Sequence, residues 1–474
     1  MDSVAFILLL LVVALTAAAG VAVVSSAAEC ASLPNCFDVS QHMSSVDNSN
    51  TTIATRAIQA LLDSVPDHAT VWIPASMIVT TGPLVLKSNY LTLQIDGTVR
   101  ALDIDDASNL AQWPSIAPLI NYGFSDDMGR YDQYQSLLYA ANITHLHITG
   151  TGHVDGRGHS WWQAFHSNTS DRLLAGRPNL VQLVNVSQVE IDGVSLSDAP
   201  FWTIHPVLCT HVHIHHIHLR APLYAPNVDG IDPDSCQHVL IEHNDIACGD
   251  DHIAIKAGLC GGKGVLDCAA GAASDMWTSG AWATRNVTVR HNVFRTGMGI
   301  AVGSESSGSI SDVFIYNNTV GVCAAGHDPA TGCGWGPALH LKTSISRGGV
   351  IENVSFTNNK VYNTSGFIFL EMSYQSDAEE RPPVDYAATM VRNILFDGNE
   401  ALGSAIGAAF ECSAFDACHA ITVTNNVIHN ANENSSPWTC KYIQEYVVAG
   451  NVPDGLEECM ELSMNNETTA LRAG

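Results

Sequence analysis

The chain has 474 residues, 46% of them hydrophobic, enough apolar material for a substantial core; wholesale disorder is excluded. Lys and Arg number 20 against 47 Asp and Glu, a formal net charge of −27. That balance argues against nucleic-acid binding, which needs a cationic surface, and leaves any anionic substrate to be caught by local positive groups.

At the N-terminus, Val4 to Val24 is almost wholly apolar, with small residues at Ala17-Ala18-Ala19 and Ser26-Ala27-Ala28 ahead of Glu29. Residues 1–28 read as a secretory signal, cleaved after Ala19 or Ala28. Met1-Asp2-Ser3 carries an acid where such signals carry Lys or Arg, so an uncleaved anchor of about 20 residues is the alternative. No second apolar run of that length follows, which excludes a polytopic membrane protein. Ten N-x-Ser/Thr sequons, at Asn50, Asn142, Asn168, Asn185, Asn286, Asn317, Asn353, Asn363, Asn434 and Asn466, favour secretion together with the signal. The 13 cysteines all lie from Cys30 onward. Cys30/Cys36, Cys260/Cys268, Cys323/Cys333 and Cys412/Cys418 are spaced for local disulfides in an oxidising compartment. The odd total leaves at least one thiol free or shared between chains, and the CxxC spacing of a zinc site is absent. No linker interrupts residues 29–474, which are expected to form one domain.

Thr55 to Leu62 carries apolar residues at helical spacing and is early enough to cap the end of a solenoid. Beyond it one pattern recurs: alternating apolar positions, then an Asn, Asp or Gly turn. Instances begin at Asn185, Thr210, Gln237, Arg285, Ile310, Ile351, Met390 and His419. Period-two alternation predicts strands. Val189, Val212 and Val239 lie 23 and 27 residues apart, Val287 and Val313 lie 26 apart, and Ile394 and Ile421 lie 27 apart. That repeat length suits an all-β, right-handed parallel β-helix, in which side chains one coil apart become neighbours about 4.8 Å away. A propeller repeat would run nearer 40 residues.

Asp229, Asp250 and Asp251 lie 21 and 22 residues apart, roughly one coil, so stacking would gather them in one patch. Gly249 supplies backbone freedom for the bend that adjacent acids need to share a site. Clustered carboxylates repel, which raises at least one pKa and sets a proton donor beside ionised partners, as glycoside hydrolysis requires. Turn chemistry and a calcium site are the competing readings of the same residues. His211, His213 and His215 share a strand face that could bind zinc or could simply be solvated. Trp161 and Trp162 suit either sugar stacking or packing.

Ordered motifs add to these readings. They are Val71-Trp72-Ile73-Pro74 with Thr81 to Ser88, Gly152 to Gly158 with Trp161-Trp162, and Pro200 to Pro206. Asn227-Val228-Asp229-Gly230-Ile231-Asp232 and Gly249-Asp250-Asp251 complete them. Together they resemble glycoside hydrolase family 28, the polygalacturonase-like pectin hydrolases. The resemblance implies a secreted hydrolase of α-1,4-galacturonosyl linkages in an acidic polysaccharide, acting by inversion as a monomer with no cofactor or metal. Asp250 is then the general acid, while Asp229 and Asp251 hold and deprotonate the attacking water, and Asn227, His340 and Lys342 are the implied substrate contacts; on their own chemistry, Glu305 could hold a neighbouring cationic group or end a strand, and Tyr374 could line the groove or serve packing. The family's GHG reads Gly297-Met298-Gly299 and its RIK reads His340-Leu341-Lys342. Lys342 can still pair a substrate carboxylate, whereas His340 does so only when protonated, from which an acidic pH optimum is expected. Leu339 to Thr343 and Arg347 to Gly349 look most like exo-acting or bacterial-type members. The missing arginine keeps rhamnogalacturonan, xylogalacturonan and a catalytically silent binding β-helix as alternatives. A calcium-dependent pectate lyase would need an arginine base.

Overall fold

Alternation in the repeats becomes strands whose apolar residues point inward: in Ser187–Asp192, Thr210–His215 and Gln237–Glu242 the third and fifth positions are buried and the others are not. The computed structural model describes residues 30–43, 51–121, 132–167, 173–259, 280–323, 333–334, 336–344, 347–374, 389–402, 406–415, 418–429 and 438–460. The apolar leader, Cys260, Cys268 and the sequons at Asn50, Asn168, Asn434 and Asn466 lie outside them.

The described strands form a parallel β-helix. A 13-stranded sheet runs from Cys36–Asp38 to Ile443–Ala449, and an 11-stranded sheet from Ile78–Thr81 to Val427–His429. A third face begins with four strands, ending at Ile204–Val207, and resumes with six, starting at Ile253–Ile255. Between them only isolated bridges at Ile231 and Asp234 carry the pairing across one coil. Among the described residues every strand pair is parallel except a short antiparallel one, Ser115–Ile116 with Gln133–Tyr134.

The register follows the repeat arithmetic. Val189 pairs Val212, Val212 pairs Val239, Val287 pairs Val313, and Ile394 pairs Ile421. These residues stack down the interior, where each fully buried aliphatic side chain contributes about 1.5–3 kcal/mol. The capping helix spans Thr51–Ser64, longer than Thr55 to Leu62, and buries Ala54, Ile58, Leu61 and Leu62. Its polar face closes an exposed sheet edge: Gln59 accepts from the Val85 amide and donates to the Val85 carbonyl, at 2.8 and 3.0 Å. A second helix, His159–His166, carries Trp161 and Trp162; at 0% and 3% exposed they are packing residues and present no platform to a sugar.

Each turn leaving the 13-stranded sheet over the C-terminal half begins with a left-handed residue, such as His243, Asn317, Gly398 or Gly450 (φ 55 to 68°), followed by an asparagine. Asn244, Asn292, Asn318, Asn359, Asn399, Asn426 and Asn451 form a continuous buried ladder. Each Nδ2 donates at 2.9–3.0 Å to the Oδ1 of the next asparagine, which also accepts the backbone N–H of the donor residue. The second Nδ2 hydrogen goes to a carbonyl one coil back, for example that of Ile315 from Asn359. No other side chain offers this donor and acceptor set at this length.

The disulfides Cys30–Cys36, Cys323–Cys333 and Cys412–Cys418 form as the spacing suggests, and Cys440–Cys459 is an additional one across 19 residues. Cys209, Cys236 and Cys248 are free and buried. Among the described sequons, Asn142, Asn185, Asn286, Asn317 and Asn353 are exposed and Asn363 is half-buried. No helix among the described residues is long and apolar enough to cross a membrane.

Asn359→Ala removes the acceptor of both the Asn318 amide and its side chain. Each orphaned buried donor costs about 1–3 kcal/mol, so denaturant unfolding should show a loss of at least about 2 kcal/mol.

Candidate active site

The coil at which the third sheet thins to single bridges is the one that carries Asp229. Gly230 donates to the Asp251 carbonyl at 2.9 Å, and the Asp250 amide donates to Val228 at 3.2 Å, tying the two acidic segments together. The two glycines beside the acids permit this contact by close approach. A Cβ on Gly249 would stand 2.0 Å from the Ala225 carbonyl oxygen, and one on Gly230 2.3 Å from that of His252. Gly249 and Asp250 form the expected bend, and there the glycine permits close approach with no left-handed backbone. Carboxylate oxygens of Asp229, Asp250 and Asp251 all lie within 4.8 Å of one another.

Two buried lysines face them. Lys342 Nζ donates to Asp251 Oδ2 at 2.7 Å and sits 4.8 Å over the Tyr374 ring. Lys256 Nζ is 3.9 Å from Asp229 and 3.4 Å from Glu305, and lies 4.2 Å over the Trp202 ring. Arg177 donates to the carbonyls of Pro200 and Pro226 and to Asn227 Oδ1 at 2.7 Å, clamping the turn that presents Asp229. His340 contacts Glu371 at 3.4 Å, with the Tyr374 ring 6.2 Å away, edge to face.

The charges are set by burial and neighbours. Burial, then the Asp251 charge, pushes the Asp250 pKa up to about 6 against the opposing pull of Lys342. Burial raises Asp229 strongly, reinforced by Asp232 and Asp250. Burial acts to lower the lysines, but the surrounding acids win and hold both above their usual value. Burial works to raise Glu305, yet Lys256 and Arg347 bring it down to about 2. The arrangement can therefore hold a proton on one carboxyl beside an ionised one. The three acids could in principle hold a cation, but Lys256 and Lys342 already supply the positive charge there.

The family model for glycosyl hydrolases family 28 matches residues 70–449. This chain is a family 28 glycosyl hydrolase. It is 28% identical over 403 residues to a probable polygalacturonase of Vitis vinifera, covering 83% of this chain and 74% of that protein. It is also 28% identical over 342 residues to an endo-polygalacturonase of Pectobacterium carotovorum subsp. carotovorum, covering 70% and 74%. The structure of an exopolygalacturonase from Thermotoga maritima superposes with a TM-score of 0.63 at 23% identity, covering 88% of this chain and 92% of that one, a likeness of fold.

Around the three acids, Lys342 bonds Asp251 directly, Tyr374 lies under Lys342, His340 stands beside Tyr374, Glu305 lies behind Lys256, and Asn227 is held by Arg177. Asp229, Asp251, Glu305, His340 and Lys342 are buried, and Asn227, Asp250 and Tyr374 are half-buried. Glu305 stands behind Lys256 as its counter-ion. Burial lowers the His340 pKa, favouring the neutral ring, so the acidic optimum expected from a protonated His340 has no support there. Met298 takes the position expected for the family's histidine, and its amide donates to the Asp250 carbonyl at 2.8 Å. A different histidine, His252, fills the space behind the acids: Nε2 meets the Thr296 carbonyl and Nδ1 accepts from the Gly299 amide, each at 3.0 Å.

Sequence reasoning missed Lys256, Trp202, Arg177, His252 and Asp232. Lys256 was within reach of the repeat arithmetic, because Ile255 registers with Val302 and Val302 with Leu341, which puts Lys256 in the same row as Lys342. Asp232 is fully buried, and neither carboxylate oxygen has a hydrogen-bond partner.

Gly249→Ala should displace the acidic turn and lower kcat by about 100-fold, the cost of misplacing catalytic groups by about 1 Å. An unchanged circular dichroism spectrum would confirm that the fold survives.

Proposed function

We propose that this hydrolase cleaves α-1,4-galacturonosyl linkages of pectin, with polygalacturonate as the substrate. The observation that carries the reading is the pairing of three clustered carboxylates with two buried lysines in a chain of net charge −27. Acid–base hydrolysis uses the first set, and the second gives an acidic polymer a place to bind.

Asp250 is the general acid. It is the half-buried member of the three, and its raised pKa keeps it protonated in mild acid. Asp251, held by Lys342, is the base that takes the proton of the attacking water, with Asp229 sharing the hold on that water. Lys342, Lys256 and Tyr374 receive the substrate carboxylate and ring, while Asn227 and Glu305 act through Arg177 and Lys256. His340 contributes as a neutral hydrogen-bonding group. Hydrolysis by this set needs no metal, so chelator should leave it intact.

Inversion and exo action rest on the family resemblance. The anomer of the first product, read by proton NMR, therefore decides the stereochemistry. Residues 29–474 are taken as one secreted domain after loss of 1–28. Exposed sequons and disulfides support secretion.

Polygalacturonate incubated with the protein and chelator should give saturated galacturonate, as monomer for exo action or a ladder of oligomers for endo action. Asp250→Asn should lower kcat by about 10²–10⁴-fold. An ultraviolet-absorbing unsaturated product, or none, overturns the reading. The pH profile of kcat/KM should fall above about 6, because raising pH removes the Asp250 proton; beyond that limb the loss is about tenfold per pH unit.

A further inference from the structure

The outward face of the 13-stranded sheet carries a second group of titratable side chains, on a different sheet from the lysine-bearing strand of the acidic cleft. It lies on three consecutive strands, Thr144–Thr149, Ser187–Asp192 and Thr210–His215. Register puts His147, Glu190 and His213 in one row across the strands, and Asp192 and His215 side by side two residues further along. Diagonal contacts join the rows. His215 Nε2 is 3.2 Å from Glu190 Oε1 and His147 bonds Asp192, while within the first row His147 Nε2 is 4.0 Å from Glu190 Oε2. The rings of His213 and His215 are 4.0 Å apart.

We propose that Glu190, His213 and His215 form a binding site for a divalent transition metal of the zinc class. One ligand atom from each lies within 4.8 Å of the others. Tetrahedral zinc, with ligands about 2.0–2.2 Å from the metal, places them some 3.3 Å apart, so modest side-chain rotation closes the set. Two imidazoles and a carboxylate are zinc's preferred donors, whereas calcium and magnesium take oxygen ligands almost alone. The positions come from rigid, hydrogen-bonded strands and not from a loop, which favours a defined geometry.

Second contacts orient the ligands. His213 Nε2 meets Glu242 Oε1 at 3.1 Å, and Glu242 is fixed by Arg290 at 2.7 Å. His215 Nδ1 faces His216 Nδ1 at 2.8 Å. His147 and Asp192 complete a second three-atom set that shares Glu190, so they stand beside the ion as outer partners. The site opens on a groove that also includes Tyr90 and His145, giving an ion a path from solvent. The exposed stacks His211–His238 and His216–His243–His291 lie near it; His243 comes 4.0 Å from Glu242, but among the described residues none of these histidines joins a three-ligand set.

The test is calorimetric titration of the intact, disulfide-bonded protein with zinc chloride. Wild type should bind saturably in the micromolar range. His213→Ala and His215→Ala should each abolish one equivalent or weaken it at least about tenfold, and Glu190→Gln should weaken it too. Cobalt(II) should give the visible absorption of a tetrahedral site in wild type and lose it in both histidine variants. Calcium chloride at the same concentrations should give no saturable heat. Thermal melts of the metal-free variants should stay close to wild type, since these partly exposed side chains lie outside the core. No saturable zinc binding up to about 1 mM, or binding that both histidine variants retain, overturns the proposal. Hydrolysis of polygalacturonate is read separately, so failure here leaves the acidic cleft untouched.

Discussion

Parallel, in-register pairing between successive coils is the interaction on which the rest depends. Each backbone N–H finds its carbonyl one coil away, so a side chain's neighbours are fixed by counting one repeat along the chain. The valine and isoleucine stacks, the asparagine ladder, the clustered acids and the histidine rows are all expressions of that rule. The ladder shows its strictness best. An asparagine there must accept from the preceding coil and donate both to that coil and to the following one, and a register slip of one residue would leave several amides buried without partners.

The acidic site is built where this pairing is weakest. The third sheet narrows to isolated bridges at Ile231 and Asp234, and the backbone freed there turns outward to present Asp229. The adjoining coil brings Asp250 and Asp251 through glycines whose hydrogen atoms alone fit beside neighbouring carbonyls. Lysines from the resumed sheet then offset the gathered negative charge. Loss of either lysine would leave a buried carboxylate uncompensated, which is far costlier than loss of an exposed ion pair.

Most of the fold was legible in the sequence because alternation and repeat length are local signals. Val189, Val212 and Val239 could be aligned by eye, and the structure pairs them so. The capping helix, three disulfides and the gathering of Asp229 with Asp250 and Asp251 followed from the same spacing arguments. Cys440–Cys459 did not, because 19 residues separate its partners and no short loop advertises it. Arg177 was invisible for a related reason, since it reaches the acids from an earlier coil, and Trp202, though inside the Pro200 to Pro206 motif, carries nothing that marks it as a partner for Lys256. The buried state of His340 was equally hidden, since a histidine in an alternating strand reads the same whether it faces water or protein.

The confinement of Lys256 and Lys342 to a buried cleft within a strongly acidic molecule has a consequence for ionic strength. A polyanionic chain approaching this protein meets net repulsion at long range and attraction only on contact. Dissolved salt, with a Debye length of about 10 Å at 0.1 M, screens the first before it reaches the second. Encounter with such a polymer thus speeds up as salt is added from very low levels, the reverse of enzymes that draw their substrates in from afar. The same repulsion helps a cleaved fragment leave.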